Sequence, residues 1–560
     1  MLITQEGITH YQKTEQMWED GDYLISWRGF VFVLGIAAGM DSVMTFAEEV
    51  RASGLITAIK LLKGHFFMTV CDKQAGVFYS FIDNSGAFEA FHTDSAISTS
   101  FLALARYSGF GKERVSKEAI VEFINFGNIY DNRTLLDGIC KIDSNEIIVF
   151  CSHKKSIVSK QLASIDTPCP DVDVMDFFRR FCQSIRHLKI SADLTGGVDS
   201  RLVCVLLDHY GVPFEAAISG RAGIRDVDIP VEIARVLDHR LYVTEPCVER
   251  LEQMVPELFV WCDGMNDLFK HYRTLPHHQS RRDRGIELVI SGIGGEFLKE
   301  NMWVQDFPFY ARKKANIRRF LRMRMLQIKC KSSYFAGEFR AINDTFENGV
   351  VDKLGRYRMD TNTKTYDSIY YHFRMKTVAS TFIASTNHLF GCYSPFLEYD
   401  LVRCGFHLKR RVRFFNRYHR ELITRLNPQV ARIPTAEGGI SASAETLEML
   451  KDIGKYIRNR CRRVTKVVGR KLLSKTYLQE SPEHPELFRK MRTLGVTEEA
   501  VERLKREGVL DPRLEVNDIL DAHLGNIVTF AVFLGYLEGR EAGDVRGEDR
   551  TENNQAVVTV

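Results

Sequence analysis

The chain has 560 residues, 45% of them apolar and 26% charged, so it is long enough for two or three domains and has the composition of a soluble globular protein. Its formal net charge of +4 is small and gives no general argument for a nucleic-acid partner. No apolar run reaches membrane-spanning length and no signal-peptide pattern opens the chain, so we expect no transmembrane segment. The twelve cysteines form no Cys-x-x-Cys pair, which favours reduced thiols and predicts a cytoplasmic protein.

The first part of the chain is rich in strand-like segments. Residues 23–27 and 30–34 carry β-branched and aromatic side chains, and residues 64–72 and 75–83 have the pattern of two hairpin arms joined by a short polar turn. We therefore predict a β-rich domain over residues 1–165.

The segment that follows alternates between helix and strand patterns. An apolar stripe over residues 175–185 predicts a packing helix, residues 188–194 alternate as a strand, and residues 202–210 have helical periodicity. Between the last two lies the turn Thr195-Gly196-Gly197-Val198-Asp199-Ser200.

This turn has the chemistry of a phosphate site. Its glycines let the backbone approach a ligand, the hydroxyls of Thr195 and Ser200 add donors, and the helix start adds partial positive charge. It is not a P-loop, because no Gly-Lys-Ser/Thr follows the glycines. The alternative is an ordinary strand–helix turn, which tolerates the glycines but does not require Asp199 and Ser200.

Three further segments complete a parallel-sheet pattern. Residues 214–219 predict a strand, residues 226–237 a helix with acidic residues in its first turn, and residues 239–243 another strand. Strands that alternate with helices in this way predict a doubly wound parallel sheet, in which ligands bind at the carboxyl ends of the strands.

A second glycine turn follows a fourth strand pattern. Residues 287–291 predict a buried strand, and Gly292-Ile293-Gly294-Gly295-Glu296 comes directly after it. Because Mg²⁺ prefers carboxylate and phosphate oxygens, we expect Asp199 and Glu296 to converge on a triphosphate. The alternative is two unrelated glycine turns.

These motifs resemble those of a known family. Residues 194–200 resemble the pyrophosphate loop, Ser-Gly-Gly-x-Asp-Ser, of ATP pyrophosphatases, with Thr195 in place of the first Ser. Residues 291–298 resemble the Ser-Gly-x-Gly-Gly-Asp-Glu-Leu segment of asparagine synthetases and lie, as in that family, about a hundred residues farther on. Residues 393–402 are similar to the family's Pro-Phe-Leu-Asp segment, and the strand order of residues 1–165 looks like its amino-terminal glutaminase domain.

The resemblance implies a fold and a domain division. The fold class is α/β: an N-terminal β-rich, Ntn-hydrolase-like sandwich precedes a doubly wound parallel sheet of the adenine nucleotide alpha hydrolase type with a helical C-terminal part. The implied domains are a degenerate glutaminase-like domain over 1–165, an asparagine synthetase-like ATP-binding domain over 166–545 and a disordered tail over 546–560.

The resemblance also implies an activity and its residues. The chain would be an ATP-dependent, carbon–nitrogen bond-forming ligase, in which ATP adenylates a small-molecule or peptide carboxylate, pyrophosphate leaves, and an amine or ammonia displaces AMP. ATP and Mg²⁺ are the implied cofactors. The implied nucleotide-binding residues are Leu194, Thr195, Gly196, Gly197, Val198, Asp199, Ser200, Ile218, Ser291 and Gly292; the metal ligands are Asp199 and Glu296; and the catalytic residues are Asp199, Glu296 and Arg432.

Three positions depart from the family pattern. The family's nucleophile is an N-terminal Cys, whereas this chain opens with Met1 and its first cysteine, Cys71, lies in a predicted strand, so we expect no glutamine hydrolysis in its own chain. The family's phosphate-contacting lysine has no counterpart in residues 432–439, where Arg432 is the candidate replacement for its charge. Ile293 replaces a Glu, and an apolar side chain cannot transfer a proton. These departures weaken asparagine as the product more than they weaken ATP binding.

Three alternatives stay open. The first is a natural-product or peptide cyclase or a polysaccharide-pathway amidotransferase, and the second is a non-catalytic nucleotide-binding protein. The third is a membrane- or RNA-associated protein that acts through the basic residues in 312–331 and 455–475. Such basic stretches are more commonly solvent-exposed helical faces, so we expect no nucleic-acid partner. The sequence leaves open the carboxylate, the amine and the oligomeric state.

Overall fold

The computed structural model describes residues 1–4, 7–9, 15–151, 154–169, 173–300, 302–303, 306, 309–436, 441–451, 453–455, 457–458, 485–539 and 557–558. The strands are β1 Leu2–Thr4, β2 Gly7–Thr9, β3 Glu15–Glu19, β4 Tyr23–Val33, β5 Leu62–Asp72, β6 Val77–Ile82, β7 Phe91–His92, β8 Ala96–Ser98, β9 Cys140–Lys141, β10 Glu146–Cys151, β11 Lys154–Ser159, β12 Ile190–Asp193, β13 Phe214–Ser219, β14 Leu241–Thr244, β15 Leu288–Ile290, β16 Gly391–Tyr393 and β17 Val557–Val558. The α-helices are Met40–Ser53, Leu55–Ile59, Phe101–Tyr107, Lys117–Phe126, Val174–Ile185, Asp199–His209, Arg225–Val236, Leu251–Trp261, Thr274–Asp283, Ile317–Arg324, Gly337–Leu354, Asn362–Ile369, Ser380–Thr386, Tyr399–His407, Arg410–Arg413, Arg417–Leu426, Pro428–Arg432, Pro485–Arg492, Gly495–Arg506 and Asp521–Leu537, and Tyr370–Ala379 is π-helical.

The N-terminal region contains two antiparallel sheets, in the orders β17-β2-β1-β8-β7-β9 and β11-β10-β6-β5-β4-β3. The central strands of the second sheet are buried on both faces: side chains alternate along them, so that one set packs on helices and the other on the first sheet. In β5, Phe66 and Met68 face the helices of residues 40–59, whereas Phe67 and Cys71 face the other sheet. The other sheet in turn packs its far face on the helices of residues 101–126, so the region has four layers, with a helical layer on each outside.

The predicted strands of this region are present with one difference. The predicted hairpin is confirmed by β5 and β6, which pair antiparallel from Asp72 opposite Val77. The two segments predicted as separate strands, residues 23–27 and 30–34, form the single strand β4, because the chain passes through Arg28 and Gly29 without leaving the ladder with β5.

The parallel sheet has the order β14-β13-β12-β15-β16, and every neighbouring pair is parallel, which confirms the predicted parallel sheet. The chain starts in the middle at β12, winds outward through β13 to β14, and then returns to β15 on the other side of β12. The carboxyl ends of β12 and β15 therefore meet where the winding direction reverses, the position at which open α/β sheets bind ligands.

The C-terminal part is helical and shares a core with the N-terminal region. The apolar run at 527–536 lies within the buried helix Asp521–Leu537, and this helix packs on Lys117–Phe126. Within the described residues, no helix combines the length and apolar character needed to cross a bilayer. Of the tail predicted to be disordered, Val557–Val558 pairs with β2, and the other residues lie outside the described ranges.

Candidate functional site

The two predicted glycine turns pack directly against each other. We call residues 194–200 the first loop and residues 291–297 the second loop. A Cβ atom on Gly292 would lie 2.6 Å from the backbone nitrogen of Ser200 and 2.8 Å from its Cα, and a Cβ on Gly295 would overlap the carboxyl group of Asp199. Only glycine allows the loops to come this close.

A cavity of about 350 Å³, here the sheet-edge cavity, opens where the loops meet. Eight of the residues predicted for the site line it: Thr195, Gly197, Asp199, Ser200, Ile218, Ser291, Gly292 and Glu296. The structure therefore brings the two predicted metal-binding acids, Asp199 and Glu296, into one cavity at the edge of the sheet.

Four predicted residues do not line this cavity. Leu194 and Val198 belong to the core of the parallel-sheet region, where they support the first loop from behind. Gly196 is covered by Ala436, whose Cβ would lie 2.5 Å from a Cβ added to the glycine. Arg432 is exposed at the end of the helix Pro428–Arg432, so the structure does not bring the predicted replacement cation into the cavity.

A lysine that the sequence analysis did not select lies beside the acids. Lys299 Nζ lies 2.6 Å from Asp199 Oδ2, with only 12% and 21% of the two side chains exposed. On the other side, His419 Nε2 lies 3.0 Å from Asp199 Oδ1, although this contact does not have hydrogen-bond geometry. Asp199 thus sits between a largely buried cation and a fully buried imidazole.

The two acids have opposite pKa shifts. Burial alone would raise the pKa of Asp199, but the charge of Lys299 and the contact with His419 outweigh it and hold that pKa below its ordinary value. The pKa of Glu296 is raised, first by burial and then by the negative charge of Asp199, more than Lys299 lowers it. Burial keeps the pKa of His419 below its ordinary value, so this imidazole is uncharged at neutral pH. We call Asp199, Glu296, Lys299 and His419 the acidic cluster; it contains two carboxyl groups and one cationic group.

Side-chain oxygens hold the first loop in shape. The Thr195 backbone N–H donates to Ser200 Oγ at 3.0 Å, and the Gly197 N–H donates to Thr195 Oγ1 at 3.3 Å. The Gly196 N–H donates at 3.1 Å to Asp226 Oδ1, from the first turn of the helix Arg225–Val236. These hydroxyl and carboxylate oxygens are the kind of acceptor that a phosphate oxygen would replace.

Buried arginines connect the loops to distant segments. Arg201, fully buried in the helix after the first loop, donates to the carbonyls of Val430, Ile433 and Pro434. Arg413 donates to the carbonyl of Lys299 at 2.9 and 2.6 Å, which anchors the end of the second loop.

Several residues of the site carried little or no sequence signal. In the sequence, Asp226 is one of two acids, with Asp228, that open a helix after Ser219, as an Asp does in the resembling family, and Lys299 is recognisable only by its position three residues after Glu296. His277 and His278, which line the cavity from the helix Thr274–Asp283, belong to no motif. Burial, followed by Arg281, lowers the pKa of His277 to about 2, so it is a very weak base.

The remaining sequence predictions concern residues outside this cavity. Cys71 is fully buried in β5, where burial raises the pKa of its thiol to about 11, so it has neither the exposure nor the pKa of a nucleophile. In the first basic segment, Arg318 and Arg322 both pair with Glu347, as expected of a solvated helical face. Most of the second basic segment, residues 455–475, lies outside the described residues.

No protein-family model matches this sequence, and no curated protein matches it at a significant level. The function is therefore argued from the geometry of the site.

Proposed function

We propose that the chain is an ATP-dependent amide ligase of the asparagine synthetase type. The single observation that carries this proposal is the convergence of the two glycine loops at the reversal point of the sheet, with Asp199 and Glu296 in one cavity. The four-layer N-terminal region and the parallel sheet support the more specific folds that the sequence implied, an Ntn-hydrolase-like sandwich and an adenine nucleotide alpha hydrolase-like domain.

The acids of the sheet-edge cavity suit Mg²⁺. No group of three or more His, Cys, Asp or Glu side chains within the described ranges could hold a metal by itself. Mg²⁺ on nucleotides, however, is usually held by one or two carboxylates together with phosphate oxygens. Asp199 Oδ1 is buried and accepts no hydrogen bond from the described residues, and burial together with the negative charge of Asp199 raises the pKa of Glu296. A divalent cation held by Asp199 and Glu296 would offset the repulsion between the two carboxylates, and when bound it would stabilise charge on the departing pyrophosphate.

The first half-reaction follows from the residues of the cavity. A substrate carboxylate oxygen attacks the α-phosphorus of ATP, the bond to the bridging oxygen breaks, and pyrophosphate leaves as an acyl adenylate forms. The hydroxyls of Thr195 and Ser200 and the start of the helix Asp199–His209 offer donors to the phosphates, and Lys299 adds positive charge behind Asp199. Ile218, Ser291 and Gly292 provide the small, mostly apolar surface against which the adenosine packs.

The second half-reaction has little help from this cavity. An amine attacks the adenylate carbonyl, AMP leaves, and the amine loses a proton. Ile293 lines the cavity but cannot accept that proton, and His277 is too weak a base. We therefore propose that the amine reaches the adenylate already uncharged, or that the acceptor brings its own base, as a cyclase or amidotransferase substrate could.

A second candidate function is a nucleotide-binding protein without ligase activity. Two observations favour it: Ile293 stands at the cavity wall, and Arg432 lies outside the cavity. This protein would bind ATP·Mg²⁺ but would release no pyrophosphate with any acceptor pair.

The test is pyrophosphate release from ATP against a panel of carboxylates and amines, together with direct measurement of ATP binding. We expect Asp199→Asn to abolish release, whereas the matched control Asp176→Asn, at an exposed pair with Arg179, should leave it unchanged. ATP binding without release would favour the second candidate. Absence of both release and ATP binding would refute the nucleotide site itself.

A further inference from the structure

A second cavity, of about 490 Å³, lies between the N-terminal sheets and the helices of residues 337–386. We call it the basic cavity. It shares no lining residue with the sheet-edge cavity. Its wall contains five cationic side chains, Arg133, Lys141, Lys353, Arg356 and Lys376, and three carboxylates, Glu89, Asp131 and Asp143.

The cations outnumber the acids that pair with them. Arg133 and Lys353 both contact one carboxylate, Glu122 Oε2, at 2.5 and 3.3 Å, and the Glu122 side chain is only 3% exposed. The other three cations each have one acid: Lys141 pairs with Glu89 at 2.8 Å, Arg356 with Asp131 at 2.9 Å and Lys376 with Asp143 at 3.5 Å. With Glu122 included, five cations face four carboxylates, so the wall has a surplus of positive charge that favours an anion.

Two aromatic rings, His372 and Tyr357, also line the basic cavity. The rings of His372 and Tyr357 stack with centroids 5.0 Å apart and an interplanar angle of 5°. Burial, followed by the charge of Lys376, lowers the pKa of His372 to about 3, so this ring is an uncharged hydrogen-bonding partner at neutral pH. The cavity thus combines cationic side chains with a stacked pair of aromatic rings.

One wall of the basic cavity is the π-helical segment Tyr370–Ala379, in the middle of a continuous helix over residues 362–386. π-Helical turns are rare and frequently lie at functional sites, and this segment is longer than the usual single turn. Its residues His372, Lys376 and Thr377 line the basic cavity.

The same helix contacts the proposed nucleotide site. Tyr370 and Tyr371 pack on Phe297, the residue after Glu296, with ring centroids 5.7 and 5.8 Å apart. Farther along, Phe382 lines the sheet-edge cavity. One helix therefore borders both cavities. A shift of its π-helical segment would move Tyr370 and Tyr371, which contact the second loop at Phe297.

We propose that the basic cavity is an effector site for a small organic anion of the carboxylate or phosphate type. The ligand is not the carboxylate to be adenylated, because the two cavities share no lining residue. The effect on the nucleotide site through residues 370–382 rests on the proposed function, whereas anion binding itself does not.

The test measures binding of citrate and of inorganic phosphate, in separate calorimetric titrations without ATP or Mg²⁺, so that the carboxylate and phosphate sources are distinguished. We expect Lys353→Met/Arg356→Met to weaken binding about tenfold or more, because charged hydrogen bonds are lost. Arg358→Met removes one positive charge from an exposed position outside the cavity, as Arg356→Met does within it, and should leave binding unchanged. If the double variant does not fold, Arg356→Met alone replaces it, since Arg356 is half exposed.

Hydrogen exchange locates the bound anion. We expect citrate or phosphate to protect residues 131–144 and 353–377. Absence of saturable binding by both anions, equal binding by the double variant, or protection of residues 194–200 instead would overturn the proposal. A final titration of ATP·Mg²⁺ with and without the bound anion tests the coupling: a shifted affinity supports it and an unchanged affinity refutes it. A chain that binds the anion but never ATP would refute the proposed function and leave the anion site standing.

Discussion

Replacement of Lys299 by methionine is the sharpest test of the acidic cluster. The variant keeps most of the side-chain volume but removes the cation 2.6 Å from Asp199. Asp199 then faces Glu296 without its main compensating charge, in surroundings from which water is largely excluded. Breaking a buried ion pair by removing one partner costs about 3–5 kcal/mol in the free energy of unfolding.

The chain provides a control at the same distance. Lys117 Nζ and Glu338 Oε1 are also 2.6 Å apart, but 53% and 57% of these side chains are exposed. An exposed pair contributes about 1 kcal/mol or less, so Lys117→Met should hardly change stability. Comparison of the two variants therefore isolates burial, because distance and substitution are matched.

A double-mutant cycle assigns the cost to the pair. Asp199→Asn in the Lys299→Met background removes the uncompensated charge, so the double variant should recover most of the lost stability. Denaturant unfolding of all four proteins, followed by circular dichroism, measures the coupling, which we expect to be about 2 kcal/mol or more. If Lys299→Met is as stable as Lys117→Met, or if the double variant is no more stable than Lys299→Met, the assignment of the buried pair is wrong.

Three further variants test other parts of the structure. Gly292→Ala places a methyl group 2.6 Å from a backbone nitrogen of the first loop, so it should lower the free energy of unfolding by about 1–3 kcal/mol or more and weaken ATP binding. Gly349→Ala, in a helix with nothing within 4 Å, should raise the free energy of unfolding by about 1 kcal/mol, and thermal unfolding distinguishes the two variants. Burial lowers the pKa of Lys160 from 10.5 to about 7, so between pH 7 and 10.5 the unfolded chain binds more protons than the folded one. The free energy of unfolding of the wild-type protein should therefore rise with pH in this range, and Lys160→Met should remove that rise in denaturant titrations. Arg201→Met leaves three backbone carbonyls without their donor and should lower the free energy of unfolding by about 3 kcal/mol or more. It should also increase limited proteolysis within residues 430–436, and unchanged cleavage would contradict the role assigned to Arg201.

Sequence patterns were sufficient for the local elements of this protein. Strand alternation and helical periodicity are short-range properties, so the hairpin β5–β6 and the strand–turn–helix around Asp199 could be predicted to within a few residues. The two glycine turns were recognisable for the same reason, since each is a contiguous motif at the end of a strand.

Tertiary structure decided which side chains meet. The strand order places β15 beside β12, and only this neighbourhood brings Glu296 to Asp199 across about a hundred residues of sequence. Lys299 and His419 reach Asp199 from different elements, and neither belongs to a motif. Conversely, Arg432 was a reasonable candidate by position along the chain, but the helix Pro428–Arg432 directs it outward.

By itself, the sequence determined the strands, the helices and the two glycine turns, because these depend on hydrophobic periodicity and on backbone conformation over a few residues. Only the tertiary structure decided the charge balance of the acidic cluster and the existence of the basic cavity. Both depend on long-range packing, which sets burial and the distance between charges, and electrostatic energy changes steeply with each.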